Sequence, residues 1–408
     1  MAVNPSRDSA VADRTTDSEK ATTALASSLD QVKINGESAQ SEPVSISTNP
    51  TSGVTPAVSK EVVTEPQPTP THKNPLNLPR SAADGVIRTP LAEPLETAKP
   101  VPRPPLTPEQ RTKYATLLKN VAAWTELPES SAKGSKKLSL TDSERLFLTR
   151  DCLLRYLRAT TWNVAHSETR LKNTLVWRRE YGLEKLTRDY ISIENATGKQ
   201  LILGWDYQGR PCQYLRPSKQ NTERSERQVQ HLVFMLERAI DLMPAGQESL
   251  ALLINFAETK AGQGATLSQG KQVLNILQNH YPERLGRALV SNVPFYISGF
   301  FKLITPFIDP VTREKIKFNE DIGLYVPREQ LLKESGGLVN FEYVHEKYWP
   351  ALNDLCELRR SEVWERWVKG GKRVGEYEAY LKGAEKSLAE REKEDIAATA
   401  ETGNSISS

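Results

Sequence analysis

Apolar positions recur with a regular period only after Thr107. Before it, the chain is rich in Ser, Thr, Pro and Ala, and no apolar period is sustained. Such a stretch cannot bury enough apolar surface to offset the entropy of ordering it, so residues 1–106 read as a disordered tail. Thr107-Pro108-Glu109-Gln110 combines an N-cap, a proline at the first helical position and a capping-box Gln, and opens the first helix. Thr141-Asp142-Ser143-Glu144 repeats the signature and opens a second, carrying Leu146, Leu153, Leu154 and Leu157. A third follows Asn163, carries Leu171, Leu175 and Trp177, and stops near Gly182. Residues 107–190 thus form a helical N-terminal region.

The period then changes. Leu201 to Tyr207 and Cys212 to Leu215 flank the turn Gln208-Gly209-Arg210-Pro211 and read as a pair of strands. An amphipathic helix follows over about Glu223 to Leu242, then an apolar strand Leu250 to Phe256, a helix from about Thr266 to His280, and a strand Arg287 to Val293. Continuous apolar strands alternating with helices indicate a largely parallel sheet covered by helices, so the class is α/β with an α-helical N-terminal region. Helices are expected again over 351–382, and a charged, frayed tail over 383–408.

Composition sharpens the boundaries. All 7 Trp, 13 Tyr and 9 Phe lie between Tyr114 and Tyr380, which marks the folded body. The balance of 54 Lys+Arg against 51 Asp+Glu, net +3, is too small for a protein held on nucleic acid by long-range charge. Cys152, Cys212 and Cys356 are far apart and lack CxxC spacing, so neither a disulfide framework nor a metal site is indicated. With neither a signal-peptide pattern nor a long apolar run, a soluble, cytosolic protein is expected.

Enzyme signatures are missing: there is no GxSxG elbow and no HExxH. Gly262 to Gln272 resembles a phosphate loop, but Gly264 and Gly270 are one residue too far apart, and Gln272 replaces the magnesium-binding Ser/Thr. The five histidines are scattered, and no nucleophile is paired with a base. No catalytic residue is assigned.

Pro294 to Pro310 stands out. It packs Phe295, Tyr296, Phe300, Phe301 and Phe307 with Ile297, Leu303, Ile304 and Ile308, interrupted by Gly299, Thr305 and Pro306. As a helix it is apolar on nearly every side, so one face can pack on the sheet while the other needs core, a membrane or a bound lipid. Its Gly and Pro residues supply hinges for a lid. Charged segments flank it, with Glu283 on one side and Thr312 and Lys315 on the other.

Those same segments resemble the CRAL-TRIO, or Sec-fourteen-like, lipid-transfer family. The resemblance rests on Tyr281-Pro-Glu-Arg-Leu-Gly286, Asn292-Val-Pro294-Phe295, Pro306-Phe-Ile-Asp-Pro-Val-Thr312 and Lys315-Ile316, supported by Leu153-Leu-Arg-Tyr-Leu-Arg-Ala159, Gly209-Arg-Pro211 and Gly336-Gly337. It is similar above all to the fungal phosphatidylinositol transfer proteins of the pleiotropic (azole) drug resistance subgroup. The resemblance implies a lipid-binding domain over 191–350 that encloses one phospholipid beneath a gating helix. Phe295, Tyr296, Phe300, Phe301, Ile304 and Phe307 would line that gate and the acyl-chain cavity. It implies phosphatidylinositol headgroup contacts from Glu283, Thr312 and Lys315, while a further headgroup Arg of the family falls on Thr160. The family's phosphatidylcholine-specific Ser and Thr fall on Leu250 and Leu252, which predicts loss of that ligand. It further implies no cofactor, sterol as a second ligand, a functional link to lipid kinases, and peripheral association with endoplasmic reticulum, lipid droplets or the cell periphery. The competing reading is a lipid-sensing scaffold that recruits partners through its tail.

Overall fold

A computed structural model describes residues 74–384 and 386–393. The rest of the expected N-terminal tail and residues 394–408 of the C-terminal one lie outside the described residues. The capping box at Thr107 forms as its sequence demands, with its hydroxyl accepting from the Gln110 N–H, and opens α1, Pro108–Ala122. The box at Thr141 also forms but yields only the short α2, Asp142–Phe147. Here the expectation of one continuous helix is corrected. The backbone leaves the helical region at Leu148, and the Thr149 hydroxyl, accepting from the Cys152 N–H, caps a separate α3, Arg150–Ala159. The next helix, α4, Val164–Tyr181, ends on Gly182 in the left-handed conformation at φ 68°. A small antiparallel pair, β1 (Glu126–Pro128) and β2 (Lys137–Ser139), is inserted between the first two helices and had no signal in the pattern. Leu117, Val121, Leu153, Leu157, Leu171 and Leu175 close the core of this region.

The short α5, Arg188–Ser192, leads into the main sheet, whose order is β3-β4-β5-β6-β7. Strands β3 (Gln200–Trp205) and β4 (Pro211–Leu215) are antiparallel; β5 (Leu250–Asn255), β6 (Leu285–Ser291) and β7 (Ile316–Phe318) continue in parallel. The crossovers run through α6 (Glu226–Asp241), α7 (Leu267–His280) and the apolar α8 (Phe295–Ile304), which is followed by the short α9 (Pro310–Glu314). The phosphate-loop-like stretch is the approach to α7, whose Thr266 and Gln269 form a capping box instead. Two more helices, α10 (His345–Lys369) and α11 (Glu378–Leu381), follow the sheet.

Residues 74–106 correct the expectation of a disordered tail in that range. Leu78, Ile87, Leu91 and Ala92 are part of the main core. Ile87 bridges to Phe341, and its N–H donates to the Asn340 carbonyl. The Lys99 N–H donates to the Tyr207 carbonyl, and Leu106 packs on the N-terminal helical core. The segment is a strap: its few apolar residues are spaced to fill niches on a surface already formed, a pattern without helix or strand period. At the other end, Ser387 is buried and the Leu388 N–H donates to Glu376, so the described part of 383–408 is tied down as well.

Candidate functional site

Because side chains alternate across a strand, the register sorts the sheet into two unlike faces. One carries Cys212, Tyr214, Ala251, Leu253 and Leu289, all fully buried. The other carries Leu252, Ile254, Ala288, Val290 and Ile316. Toward β3 and β4 that second face is closed by α6, but under α7 and α8 its Leu252, Ile254 and Ile316 are only half-buried. In α7 Ile276 alone is buried; Val273, Leu274 and Leu277 stay half-buried. Leucines and isoleucines left half-buried on this face keep apolar surface that another apolar group can cover.

The apolar helix α8 covers this region. Phe301 meets Phe256 and Phe318 edge-on, with ring centroids 6.2 and 5.1 Å apart, and clusters with Val290, Ile254 and Ile316. Ile304, at the end of α8, and Ile308 beyond it are buried. The opposite side faces water: Phe295 is 95% exposed and Leu303 59%. The side chains of Tyr296 and Phe300 lie outside the described residues. Phe307 is partly exposed; Lys271 of α7 stands 4.6 Å from its ring centre, and Gln278 donates to its carbonyl at 2.8 Å. Gly299 is exposed, with open space where a Cβ would lie.

Polar residues gather where β6 begins. Glu283, in the turn between α7 and β6, holds the left-handed conformation at φ 59°, which costs a non-glycine residue about 1 kcal/mol or more. Lys315 follows α9; its carbonyl accepts from the Ala288 N–H at 2.9 Å, and its ammonium donates to the Leu285 carbonyl at 2.8 Å. Burial lowers the pKa of that ammonium, and the nearby Glu283 carboxylate opposes the effect. Among the described residues no carboxylate lies within ion-pair distance of Lys315. Thr312 sits one turn earlier in α9, its N–H donating to the Asp309 cap at 2.9 Å. The structure therefore brings Glu283 and Lys315 to one rim, with Thr312 beside Lys315. Leu250 is buried, and Leu252 faces the half-covered interior.

Several charged groups here had escaped the sequence reading. Arg158 donates to Glu283 at 2.6 Å and to Glu248 at 2.8 Å. Arg155 bridges Glu248 at 3.2 Å and Glu378 at 2.7 Å. Burial opposes ionisation of Glu248, yet the guanidiniums of Arg155 and Arg158 outweigh it and hold the pKa below the usual carboxylate range. From the strap, Arg103 reaches Glu248 at 3.1 Å and Glu283 at 3.4 Å. Thr160 takes no part: its hydroxyl donates to the Tyr156 carbonyl at 2.9 Å and shares a hydrogen with Ser167 at 2.6 Å. The missed signal was the Arg-x-x-Arg spacing of Arg155 and Arg158 on one face of α3. Their carboxylate partners are far away in sequence.

The CRAL/TRIO domain profile matches residues 195–337, and the CRAL/TRIO N-terminal domain profile matches residues 113–173. Over 302 residues the chain is 37% identical to phosphatidylinositol transfer protein PDR17 of Saccharomyces cerevisiae, covering 70% of this chain and 86% of that one. The chain belongs to the CRAL-TRIO family. It is 55% identical over 280 residues to a CRAL-TRIO domain-containing protein of Schizosaccharomyces pombe, covering 69% of this chain but only 28% of that longer relative. It is 30% identical over 209 residues to the SEC14 cytosolic factor of Kluyveromyces lactis, covering 45% of this chain and 69% of that one. Against this CRAL-TRIO frame, the strap lies outside both matched domains. Among the described residues no helix is long and apolar enough to cross a membrane, and no cluster of His, Cys, Asp or Glu is placed to hold a metal ion.

Proposed function

We propose that the protein binds one phosphatidylinositol and carries it between membranes without making or breaking a bond. The observation that carries this reading is the joining of two features: a rim bearing Glu283 and Lys315, and a half-covered apolar interior beneath a helix apolar on both sides. The similarity to PDR17, a phosphatidylinositol transfer protein, supports the same ligand. A diacyl lipid with roughly 30 methylenes faces on the order of 25 kcal/mol if its chains are bared to water, at about 0.8 kcal/mol each. A carrier must therefore keep those chains dry and open only at a bilayer. Leu252, Ile254, Val273, Leu277 and Ile316 supply apolar lining, and Phe301 and Ile304 close over it. Phe295 and Leu303 face outward beside the exposed Lys302, where a membrane can replace water and anionic lipid can meet the lysine.

At the rim, the Lys315 ammonium is the donor for the headgroup phosphate, and Glu283 accepts from inositol hydroxyls with Thr312 beside them. Leu250 and Leu252 offer no donor to a choline lipid, so phosphatidylcholine is not carried. Sterol as a second ligand, delivery to lipid kinases and a peripheral site on endoplasmic reticulum or lipid droplets extend the same reading. Exchange of labelled lipids between vesicles tests it. Phosphatidylinositol moves and phosphatidylcholine does not; transfer of both, or of neither, refutes the assignment.

A further inference from the structure

The strap ends in Pro100-Val101-Pro102-Arg103-Pro104-Pro105. Both of its ends are fixed. Pro100 packs near Gly209 and Gly246, just after the bond from the Lys99 N–H to Tyr207. At the other end Leu106 packs on the N-terminal helical core, and its carbonyl accepts from Arg111 at 2.6 Å. Between these anchors residues 101–105 are exposed, and prolines restrict the backbone to extended conformations. This short stiff span, with Val101 63% exposed, holds one guanidinium over the rim.

Arg103 is the most exposed cation of its cluster, held through Nε by Glu248 at 3.1 Å and more weakly by Glu283. It shares the Glu283 Oε2 atom with Arg158, but at 3.4 Å against 2.6 Å. Its side chain is 52% exposed, whereas that of Arg158 is 18% exposed. Glu283 therefore stays neutralised by Arg158 if Arg103 turns away. Lys315 donates to the carbonyl of Leu285, two residues after Glu283, so the Arg103–Glu283 pair lies beside the lysine, and the charges of Arg210 and Arg103 both oppose its ionisation. An anion arriving there meets a lysine without a carboxylate partner and an arginine whose outer nitrogen is held only at 3.4 Å by Glu283 while Glu248 keeps its Nε.

We propose that Arg103 is a headgroup-binding residue, delivered by the strap from outside the two family domains. When phosphatidylinositol enters, the outer nitrogen of Arg103 turns from Glu283 to the phosphate, and Glu283 Oε2, still held by Arg158, has a lone pair left to accept from an inositol hydroxyl. The proposal rests on the phosphatidylinositol reading above and adds a specificity residue to it.

The test uses the full chain and vesicles of phosphatidylcholine containing fluorescent phosphatidylinositol. Loading, Tm and hydrogen exchange of residues 87–98 are measured for wild type, Arg103→Ala and Arg103→Lys. The expected result is a loss of loading of about tenfold in Arg103→Ala, as for one charge-assisted hydrogen bond, with partial recovery in Arg103→Lys and unchanged Tm and strap protection. Loading by Arg103→Ala within twofold of wild type overturns the proposal. So does a loss that comes with deprotection of residues 87–98, since Arg103 is then only an anchor of the strap. A wild type that loads no phosphatidylinositol overturns the proposal together with the functional reading beneath it.

Discussion

Replacing Lys315 by Ala separates the cost of a binding group from its use. In the free protein the ammonium is half-buried, its pKa is lowered by that burial, and its hydrogen bond goes to one backbone carbonyl, Leu285 O at 2.8 Å. Such a charge-assisted bond is worth about 1.5–3 kcal/mol, and the desolvation of the charge offsets most of it. Lys315→Ala is therefore expected to change the unfolding free energy by less than about 1 kcal/mol, in either direction. With a lipid phosphate in place, the same ammonium makes a charge-assisted hydrogen bond worth about 1.5–3 kcal/mol, so phosphatidylinositol loading falls roughly 10- to 100-fold. Urea denaturation and transfer between vesicles measure the two effects on one preparation. Transfer that survives, or transfer lost only in proportion to unfolded protein, refutes the assignment of Lys315 to the headgroup.

Four further outcomes are expected. Phe295→Asp leaves Tm within experimental scatter, since Phe295 is 95% exposed, but abolishes sedimentation with anionic vesicles. Gly299→Ala has room for its methyl group and stabilises α8 by about 0.5–1 kcal/mol; if the helix must move, stopped-flow lipid exchange slows while equilibrium loading persists. Glu248→Gln lowers stability at neutral pH by about 1–3 kcal/mol, because Arg155, Arg158 and Arg103 lose their shared carboxylate. The folded-state pKa of Glu248 is depressed, so its contribution is present above the unfolded pKa and is lost as pH falls through the folded one; the Tm gap to Glu248→Gln closes below about pH 4.5. Finally, Gly204→Ala places a Cβ 2.0 Å from the Gln330 carbonyl oxygen at a φ of 72°, and is expected to cost about 2 kcal/mol or more by thermal unfolding.

How far these features were legible in the sequence depends on the range of the forces that set them. Thr107, Thr141, Asn163 and Thr266 announced their helices because capping is a contact between residues three apart. The strands β3 to β6 were visible as apolar runs: β3 and β4 are covered on both faces, and β5 and β6 turn apolar side chains to the half-covered interior as well as to the core. The break at Leu148 was not, because Leu146, Leu153 and Leu157 keep a helical spacing across it. The strap escaped because Leu78, Ile87 and Leu91 fill niches set by Phe341, Trp349 and other distant residues of the core, not a face of their own. Glu283, Thr312 and Lys315 were named through the resemblance, whereas Arg158 and Arg103 emerged only when the fold brought residues from four segments to one rim.

The central claim is that one phosphatidylinositol fills the interior beneath α8 with its headgroup at Glu283 and Lys315. Native mass spectrometry of the full chain purified from a eukaryotic cell measures this most directly. The expected spectrum shows one phosphatidylinositol per chain in wild type, depleted in Glu283→Ala and Lys315→Ala, and no phosphatidylcholine. A wild-type chain that carries no phospholipid, or that carries phosphatidylcholine at the level of the surrounding membranes, contradicts the account.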